Sequence, residues 1–171
     1  MAVTVRRVTL WRSEVDNRPG ALSRVLAPLA GAAADLQIAM GYRIPGQESR
    51  AVLELAPVSG RAAVAAAEGS GLSRSDIPTL VVEGDNAPGM GLRQSQALAA
   101  AGINIAFLIA QVMGRRFSAV FGFESAEEAT RAQAILKRAS AVPVKKKAPS
   151  ARKAGARTSA RKKTRTARRR R

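Results

Sequence analysis

The stretch Asp16-Asn17-Arg18-Pro19-Gly20-Ala21-Leu22 decides the fold, because a close copy, Asp85-Asn86-Ala87-Pro88-Gly89, begins 69 residues later. Each copy follows a β-branched run and precedes a run rich in Ala and Leu, which places it at a turn from a strand into a helix. Unpaired backbone N–H groups and the positive end of the helix dipole at such a turn suit a carboxylate or another anion.

The same motif also has a purely structural explanation. Asn17 can cap the helix, Pro19 presets its first turn, and Gly20 relaxes the backbone. A duplicated unit is favoured by the order of elements after each copy, which is a helix, an alternating strand, a turn and a second alternating strand. This order predicts two βαββαβ units, an α+β fold with either two four-stranded antiparallel sheets or one continuous sheet of eight strands, and with the helices on one face.

The residue composition argues against an enzyme. The 171-residue chain contains no Cys and no His, which removes disulfides, thiolate nucleophiles, imidazole bases and the usual zinc ligands. The acidic pair Glu127-Glu128 lies at a predicted helix start, where it complements the helix dipole. We therefore expect a non-enzymatic protein without catalytic residues, metal or cofactor.

Positive charge is concentrated at the C-terminus. The net charge is +17, and residues 141–171 hold 14 Lys or Arg and no acid, which leaves 15 bases and 12 acids in residues 1–140. We expect this tail, which resembles the basic tails of linker histones, to be disordered and to bind nucleic acid or another polyanion electrostatically. A solvated tail that affects only solubility is the alternative. The predicted contacts are Lys145, Lys146, Lys147, Arg152, Lys153, Arg157, Arg161, Lys162, Lys163, Arg165, Arg168, Arg169, Arg170 and Arg171.

The sequence contains no signal for a membrane or for export. No apolar run reaches the ~18 residues of a membrane span, and the N-terminus lacks the order of a secretory signal. The expected location is the cytoplasm, with association with the nucleoid if the tail binds DNA.

Apolar periodicity predicts helices over residues 20–34, 59–68, 91–101 and 126–139. Leu22 begins the apolar stripe of the first helix and is therefore expected to be buried. The remaining predicted features are one strand over residues 3–15 bent near Arg6-Arg7, a kink or pause in the first helix at Pro28, a short edge strand within 72–78 and a closing strand at 141–144. The predicted domains are residues 1–77, residues 78–140 and the tail, 141–171.

These residues resemble the ACT domain, a ferredoxin-like βαββαβ module that binds small ligands, most often amino acids. The match lies in the two Asp-Asn-x-Pro-Gly loops and in Ala101-Gly102-Ile103-Asn104-Ile105, which follows the second predicted helix. Two copies at this spacing are similar to the short stand-alone tandem ACT proteins of bacteria. The resemblance covers about residues 5–140.

The resemblance implies a ligand site at each loop, where the amino and carboxylate groups of the ligand meet the loop and the first helical turn. The implied residues are Asn17, Pro19, Gly20, Ala21 and Leu22 in the first unit, and Asn86, Pro88 and Gly89 in the second. The second copy departs from the pattern: Met90-Gly91 looks like a one-residue insertion, and Ser95 and Gln96 stand where the first helix has Val25 and Leu26. One of the two sites is therefore expected to be altered or empty.

Three functions remain open at this point. The leading hypothesis is a regulatory protein that binds an amino acid or a related metabolite through its ACT units and a polyanion through its tail. The alternatives are a nucleic-acid-associated protein whose ACT units serve only for self-association, and a regulatory subunit of a metabolic enzyme. Because sheet edges and apolar faces of such units need covering, we also expect a homodimer.

Overall fold

The computed structural model describes residues 3–141, which form two four-stranded antiparallel sheets and four helices. The elements in chain order are β1 (Thr4–Val8), β2 (Trp11–Asp16), α1 (Ala21–Gly31), β3 (Ile38–Ile44), β4 (Gln47–Ala56), α2 (Arg61–Gly69), β5 (Ser73–Arg74), β6 (Thr79–Asp85), α3 (Met90–Ala100), β7 (Phe107–Met113), β8 (Arg116–Gly122) and α4 (Ala126–Ala141). The predicted α+β class is confirmed. The basic tail from residue 142 onwards lies outside the described residues.

Both sheets have the strand order of a ferredoxin-like unit. One sheet runs β3-β4-β2-β5 and the other β7-β8-β6-β1, and every neighbouring pair is antiparallel. In each sheet the strand before the first helix lies in the centre, beside the third strand of the unit. The two sheets share this order because the sequence is duplicated. The fourth strand of the second sheet, however, is β1, which precedes the first unit in the chain.

Strand β1, at the N-terminus, completes the sheet of the second unit. It pairs with β6 from Thr4 opposite Glu83 to Val8 opposite Thr79. The predicted division at residue 77 therefore does not coincide with the division between the sheets. The predicted closing strand at 141–144 begins at Ala141, which is the last residue of α4, and its other three residues lie outside the described part of the chain.

The single strand predicted over residues 3–15 is two strands in the structure. The break lies at Thr9-Leu10, after the predicted bend at Arg6-Arg7. Leu10 is fully buried there, and the chain passes from one sheet to the other at this residue. The pause predicted at Pro28 is wrong, because α1 continues through it to Gly31, whereas the alternative of a kink stays a prediction.

The two units align with a constant offset of 69 residues from the loop to the third strand. The helix-capping glycines are Gly20 and Gly89, and β3 and β7 begin at Ile38 and Phe107. The predicted insertion at Met90-Gly91 is therefore wrong, since Met90 is simply the first residue of α3.

The constant offset also changes which residue of α3 replaces Val25. That residue is Gln94 rather than Ser95, and it is buried. Its side-chain amide donates a hydrogen bond of 2.9 Å to Ser140 Oγ on α4. A buried amide in place of Val25 is tolerated because α4 extends far enough to supply this partner.

Each sheet has a hydrophobic core between one of its faces and its two helices. In the first unit, Trp11, Leu53 and Leu55 pack against Val25 and Leu29 of α1. The second core is the larger, and its buried members are Leu80, Val82, Met90, Leu98, Ile103, Phe117, Ala119, Phe121, Phe123, Ala129, Ala132 and Leu136. The helix α4 that closes this core begins as predicted, with Ser125 Oγ accepting a hydrogen bond from Glu128 N.

The helix-free faces of the two sheets face each other. Phe107 of β7 packs with Leu10, Met40 and Ala56, which come from the first unit and the crossing between sheets. Val81, on the helix-free face of the second sheet, is only 2% exposed although no helix covers that face. The layers are therefore helices, sheet, sheet and helices.

Gly122 makes room for Phe107 at the contact between the sheets. The two residues lie opposite each other on β8 and β7, and a Cβ atom at Gly122 would overlap the Phe107 ring and lie 3.0 Å from Ile77 Cγ2.

Gly122→Ala is expected to lower the free energy of unfolding by about 1–3 kcal/mol, because the ring must leave its packing position. Urea denaturation measures this change. Gly31→Ala on α1 is the control, since nothing lies within 4 Å of a Cβ there; equal stability of the two variants would contradict the prediction.

No helix within residues 3–141 is long and apolar enough to cross a membrane.

Candidate functional site

The predicted loop of the first unit connects β2 to α1 through a tight turn. Arg18 N donates to Asp16 O at 2.9 Å, and Ala21 N donates to Arg18 O at 3.1 Å. Gly20 caps the helix with φ of +86°, a conformation that side chains with a Cβ rarely adopt. These backbone hydrogen bonds and the positive φ of Gly20 form the turn that the motif predicts, and they determine where α1 begins.

Asn17 ties this loop to the neighbouring hairpin. Its backbone N donates to Ser49 O at 2.8 Å, and its side-chain amide donates to Glu48 O at 2.9 Å. Both acceptors lie in an extra segment of β4, where the pairing with β3 shifts register between Arg43 and Ile44. Asn17 therefore holds the loop in place against β4, and does not cap the helix as its structural explanation predicted.

The loop forms one wall of a cavity of about 440 Å³ beside the start of α1. The lining residues are Val15, Asn17, Arg18, Ala21, Leu22, Gly41, Tyr42, Arg43, Ala51 and Leu53. Three predicted site residues, Asn17, Ala21 and Leu22, are in this set, whereas Pro19 and Gly20 shape the turn behind it. Sequence reasoning missed the residues on β3 and β4, which come from strands far from the motif.

Small residues create this cavity. Ala21 on α1, Gly41 on β3 and Ala51 on β4 all line it, so three elements leave space at the same place. Leu22 lies at its edge with 46% of its surface exposed, and the prediction that Leu22 is a core residue is wrong. The core positions of α1 are Val25 and Leu29, because the helix turns Leu22 towards the cavity.

The rim of the cavity is rich in cations. Arg18 and Arg43 both line it, and both are solvent-exposed, with partners outside the lining: Arg18 lies 3.8 Å from Asp16 and Arg43 lies 2.6 Å from Glu48. The first turn of α1 contains no acidic residue. The positive end of the helix dipole therefore faces this region, and no acidic side chain within the first turn of α1 neutralises it.

Two of the equivalent positions in the second unit carry larger side chains that are buried in its core. Val15 lies opposite Ala51 in the first sheet, and its equivalent Gly84 lies opposite Phe117. Ala21 is likewise replaced by Met90, and both Phe117 and Met90 are only 7% exposed within the second core. The expectation that one of the two sites is altered or empty stays a prediction, and these two side chains give it a physical basis.

The predicted residues of the second loop serve its backbone structure. Asn86 N donates to Arg115 O at 2.7 Å, and Gly89 caps α3 with φ of +76°. Pro88 O accepts a hydrogen bond of 3.3 Å from Arg93 Nη1, and Arg93 Nη2 lies 3.5 Å from Met90 Sδ. Asn86, Pro88 and Gly89 therefore keep the turn of the first unit, and Arg93 and Met90 occupy the space beside it.

A buried carboxyl group lies behind the cavity wall, on the helix-free face of the first sheet. Glu54 is 1% exposed, and the Tyr42 hydroxyl donates to its Oε2 at 3.3 Å. Burial raises the pKa of Glu54 above its ordinary value, although Tyr42 and the facing Arg12 oppose the shift. Burial, followed by the charge of Glu54, raises the pKa of the Tyr42 hydroxyl as well.

Glu54→Gln is expected to stabilise the protein at neutral pH. The raised pKa means that the folded state binds the Glu54 proton more tightly than the unfolded state, so stability falls as the pH rises from the unfolded towards the folded pKa. A Gln side chain stays neutral, so the free energy of unfolding of the variant does not fall in this way. The difference in stability between the variant and the wild-type chain should vanish below pH 4.5, the ordinary pKa of the Glu side chain. Thermal unfolding of both proteins across this range measures the difference. A constant difference at every pH would contradict the assignment.

Within residues 3–141 no group of three or more metal-ligating side chains comes together. The lining of the cavity combines the apolar side chains of Val15, Leu22 and Leu53 with Asn17, Arg18 and Arg43.

Comparison with known proteins supports the fold. No family model matches the chain, and no curated protein matches it. Among solved structures, it is similar to the protein BT0572 from Bacteroides thetaiotaomicron, with a TM-score of 0.63 and 14% identity over 75% of this chain and 87% of that one. It is also similar to the ligand-free regulatory subunit of aspartate kinase from Thermus thermophilus, with a TM-score of 0.56, 19% identity, and coverage of 81% and 97%. The regulatory subunit of aspartate kinase from Thermus flavus gives a TM-score of 0.54 at the same identity and coverage. These likenesses show an ACT-like fold.

Proposed function

We propose that this protein is a non-enzymatic regulatory protein that binds a small metabolite with a carboxylate group, an amino acid or a close relative, in the cavity of its first unit. The observation that carries the proposal is the position of the cavity. The loop that the sequence motif marks forms its wall together with the first turn of α1, and two arginines stand at its rim. The resemblance of the motif to ACT loops and the likeness of the fold to regulatory subunits support the same function.

The size and chemistry of the cavity suit such a ligand. A volume of about 440 Å³ lies within the range of small-molecule pockets, roughly 300–1,000 Å³. A carboxylate would be favoured at the start of α1, where the dipole and Arg18 both attract an anion. Leu22 and Leu53 would contact the apolar part of the ligand from either side of the cavity.

The proposal assigns one ligand to each chain. Met90 and Phe117 fill the equivalent space in the second unit, so its loop would serve the fold and the first unit alone would bind. This arrangement predicts a stoichiometry of one, even in an assembled form of the protein.

A thermal-shift screen of the full chain against the common amino acids tests the proposal. A ligand present at a hundred times its dissociation constant adds about 2.7 kcal/mol to the free energy of unfolding, which a melting curve resolves readily. A panel in which no amino acid and no simple carboxylic acid shifts the curve would overturn the proposal. Calorimetric titration of a hit then gives the stoichiometry.

The tail adds a second proposed interaction. We propose that the 14 cationic residues beyond residue 140 bind nucleic acid, which would place the protein in the cytoplasm at or near the nucleoid. Residues 1–140 offer little net charge for this purpose, because they hold 15 bases and 12 acids. Six of their arginines also form ion pairs with acids: Arg6, Arg12, Arg18, Arg43, Arg50 and Arg116. A pull-down with and without the tail separates this role from that of an enzyme's regulatory subunit, whose partner would be retained by the body.

A further inference from the structure

The lining of the first-unit cavity contains two cationic side chains and no acidic one. Arg18 comes from the loop before α1 and Arg43 from β3, and no lining residue is Asp or Glu. The acids that pair with these arginines, Asp16 and Glu48, lie outside the lining, and Asp16 is shared with Arg50 at 3.3 Å. The lining itself therefore presents positive charge to a ligand from two different elements.

Both arginines keep N–H donors for a ligand. A guanidinium group has five N–H donors in one plane. Arg43 Nη1 donates to Glu48 Oε2 at 2.6 Å, which leaves the other donors of that side chain. Arg18 Nη2 lies 3.8 Å from Asp16 Oδ2, which is too long for a direct hydrogen bond. Each side chain can therefore bind a carboxylate, the group whose two oxygens match the guanidinium plane.

The fold does not require an arginine at either position. With the constant offset of 69 residues, the second unit has Ala87 in place of Arg18 and Val112 in place of Arg43. It nevertheless forms the same loop before α3 and the same strand, β7. The two cations are therefore a feature of the unit that has the cavity, and the turn and the sheet do not explain them.

A third arginine shows the opposite pattern. Arg24 of α1 folds back over the capping glycine, so that its Nη1 lies 3.7 Å from the position of a Cβ atom at Gly20. Its equivalent in the second unit is also an arginine, Arg93, whose Nη1 lies 3.5 Å from the same position at Gly89. The arginine that packs on the turn thus occurs in both units, whereas the two that line the cavity occur only in the first.

We propose that the ligand of the first unit is a small dicarboxylate, with one carboxylate held by Arg18 at the start of α1 and the second held by Arg43. This inference rests on the proposed function and narrows its ligand from carboxylates in general to those with two. Gly20 supplies no side-chain cap to α1, so N–H groups of the first turn are available to the carboxylate beside Arg18. Arg43, on β3, then selects the second one.

Ligands with other charges suit the lining less well. An apolar or amide side chain would leave Arg43 without an anion, and a lysine-like side chain would place a third cation beside two arginines. The ammonium group of an acidic amino acid has one side-chain acceptor, the Asn17 oxygen, since the Asn17 nitrogen donates to Glu48 O. Dicarboxylates with and without an ammonium group therefore belong to the proposed class.

The first test compares acids with their amides, which have nearly the same shape but one charge fewer. Aspartate and asparagine, glutamate and glutamine, and succinate and glutarate with their monoamides are titrated into the full chain in a thermal-shift assay. Ionic strength is held constant, so that salt effects on the basic tail are the same throughout. The acid that binds best is expected to have a dissociation constant about tenfold below that of its amide, from the greater strength of charge-assisted hydrogen bonds.

The outcomes separate this inference from the proposed function. An amide or another neutral amino acid that binds as tightly as every dicarboxylate would overturn the ligand class and leave the proposed function standing. Preference for a sugar phosphate over every dicarboxylate would also overturn the class. A chain that no amino acid and no carboxylic acid stabilises would overturn both.

Substitutions test the two assigned contacts. Arg43→Gln is expected to raise the dissociation constant of the acid about tenfold, to that of the amide, and to leave the constant of the amide unchanged. Arg18→Gln should weaken acid and amide alike, because both contain the carboxylate that Arg18 holds. Arg116→Gln is the matched control: its side chain is 66% exposed against 67% for Arg43, and it also pairs with an acid, Asp85, but it does not line the cavity. It should change neither constant.

Arg43→Val repeats the first substitution with the residue that the second unit has at this position, so the fold accepts it. It should remove the preference for the acid as Arg43→Gln does, and the melting temperature without ligand checks that each variant is folded. If both variants kept the preference, or weakened acid and amide equally, the assignment of the second carboxylate to Arg43 would be overturned.

Discussion

Replacing Ala51 by Phe is expected to abolish ligand binding by the first unit while leaving the protein folded. Phe117 already occupies the equivalent place in the second unit, opposite Gly84, so the fold accepts an aromatic ring there. In the first unit the ring would occupy the volume between α1 and the sheet that the ligand needs. The stabilisation of about 2.7 kcal/mol expected at a hundredfold excess over the dissociation constant should fall below detection in the thermal-shift assay.

The control for this variant is Ala39→Phe, which adds the same ring to an exposed position of β3 that does not line the cavity. It should melt with the same ligand-induced shift as the wild-type chain. If Ala51→Phe retained the full shift while Ala39→Phe lost it, the ligand would bind elsewhere. The melting temperature of each variant without ligand shows whether the substitution itself affects stability.

Deleting residues 142–171 is expected to remove nucleic-acid binding. The tail holds 14 of the cationic residues, whereas residues 1–140 contain 15 bases and 12 acids, too small a surplus for a continuous phosphate track. If about half of the 14 charges contact phosphates of duplex DNA, the slope of log affinity against log salt should be roughly −6, from −0.9 for each neutralised phosphate. Fluorescence anisotropy of a labelled duplex at several salt concentrations measures both quantities.

A tail with the same composition in scrambled order is the matched control for this deletion. It should bind with the same affinity and the same salt slope, because charge density is what the phosphates sense. Loss of binding on scrambling, or retention of binding by the truncated chain, would show that a specific contact had been missed.

The architecture was predictable from sequence because the duplicated motif marks a turn that both units need. Each copy fixes a strand before it and a helix after it, and the alternation of β3 and β7 defines which strands bury one face. The origin of the fourth strand in the second sheet was not predictable. Nothing in Thr4–Val8 distinguishes pairing with β6 from pairing within its own unit, since either partner offers an apolar strand.

The candidate site was predictable only on the side of the loop. Asn17, Ala21 and Leu22 were identified from the motif, but Gly41 and Ala51 become part of the site through strand pairing over many residues. The difference between the two units was not predictable from the sequence for the same reason. Phe117 lies far from the second loop in sequence, and its effect on that loop depends on the register between β6 and β8. The small residues Gly41 and Ala51 could have indicated the cavity in the first unit. They do so only once the register that brings their strands together is known.

The exchange of β1 into the second unit has a consequence for how the chain reaches its native state. Thr4–Val8 leaves the ribosome well before its partner β6, which begins at Thr79. The first unit can therefore assemble from β2 to β5 while the N-terminal strand waits for a partner that is not yet made. Contacts of such long sequence separation slow folding, and the joining of β1 to β6 makes completion of the second sheet depend on a strand that precedes the whole first unit. A nascent chain arrested before residue 79 would carry an unpaired strand, which is a target for chaperones or for aggregation.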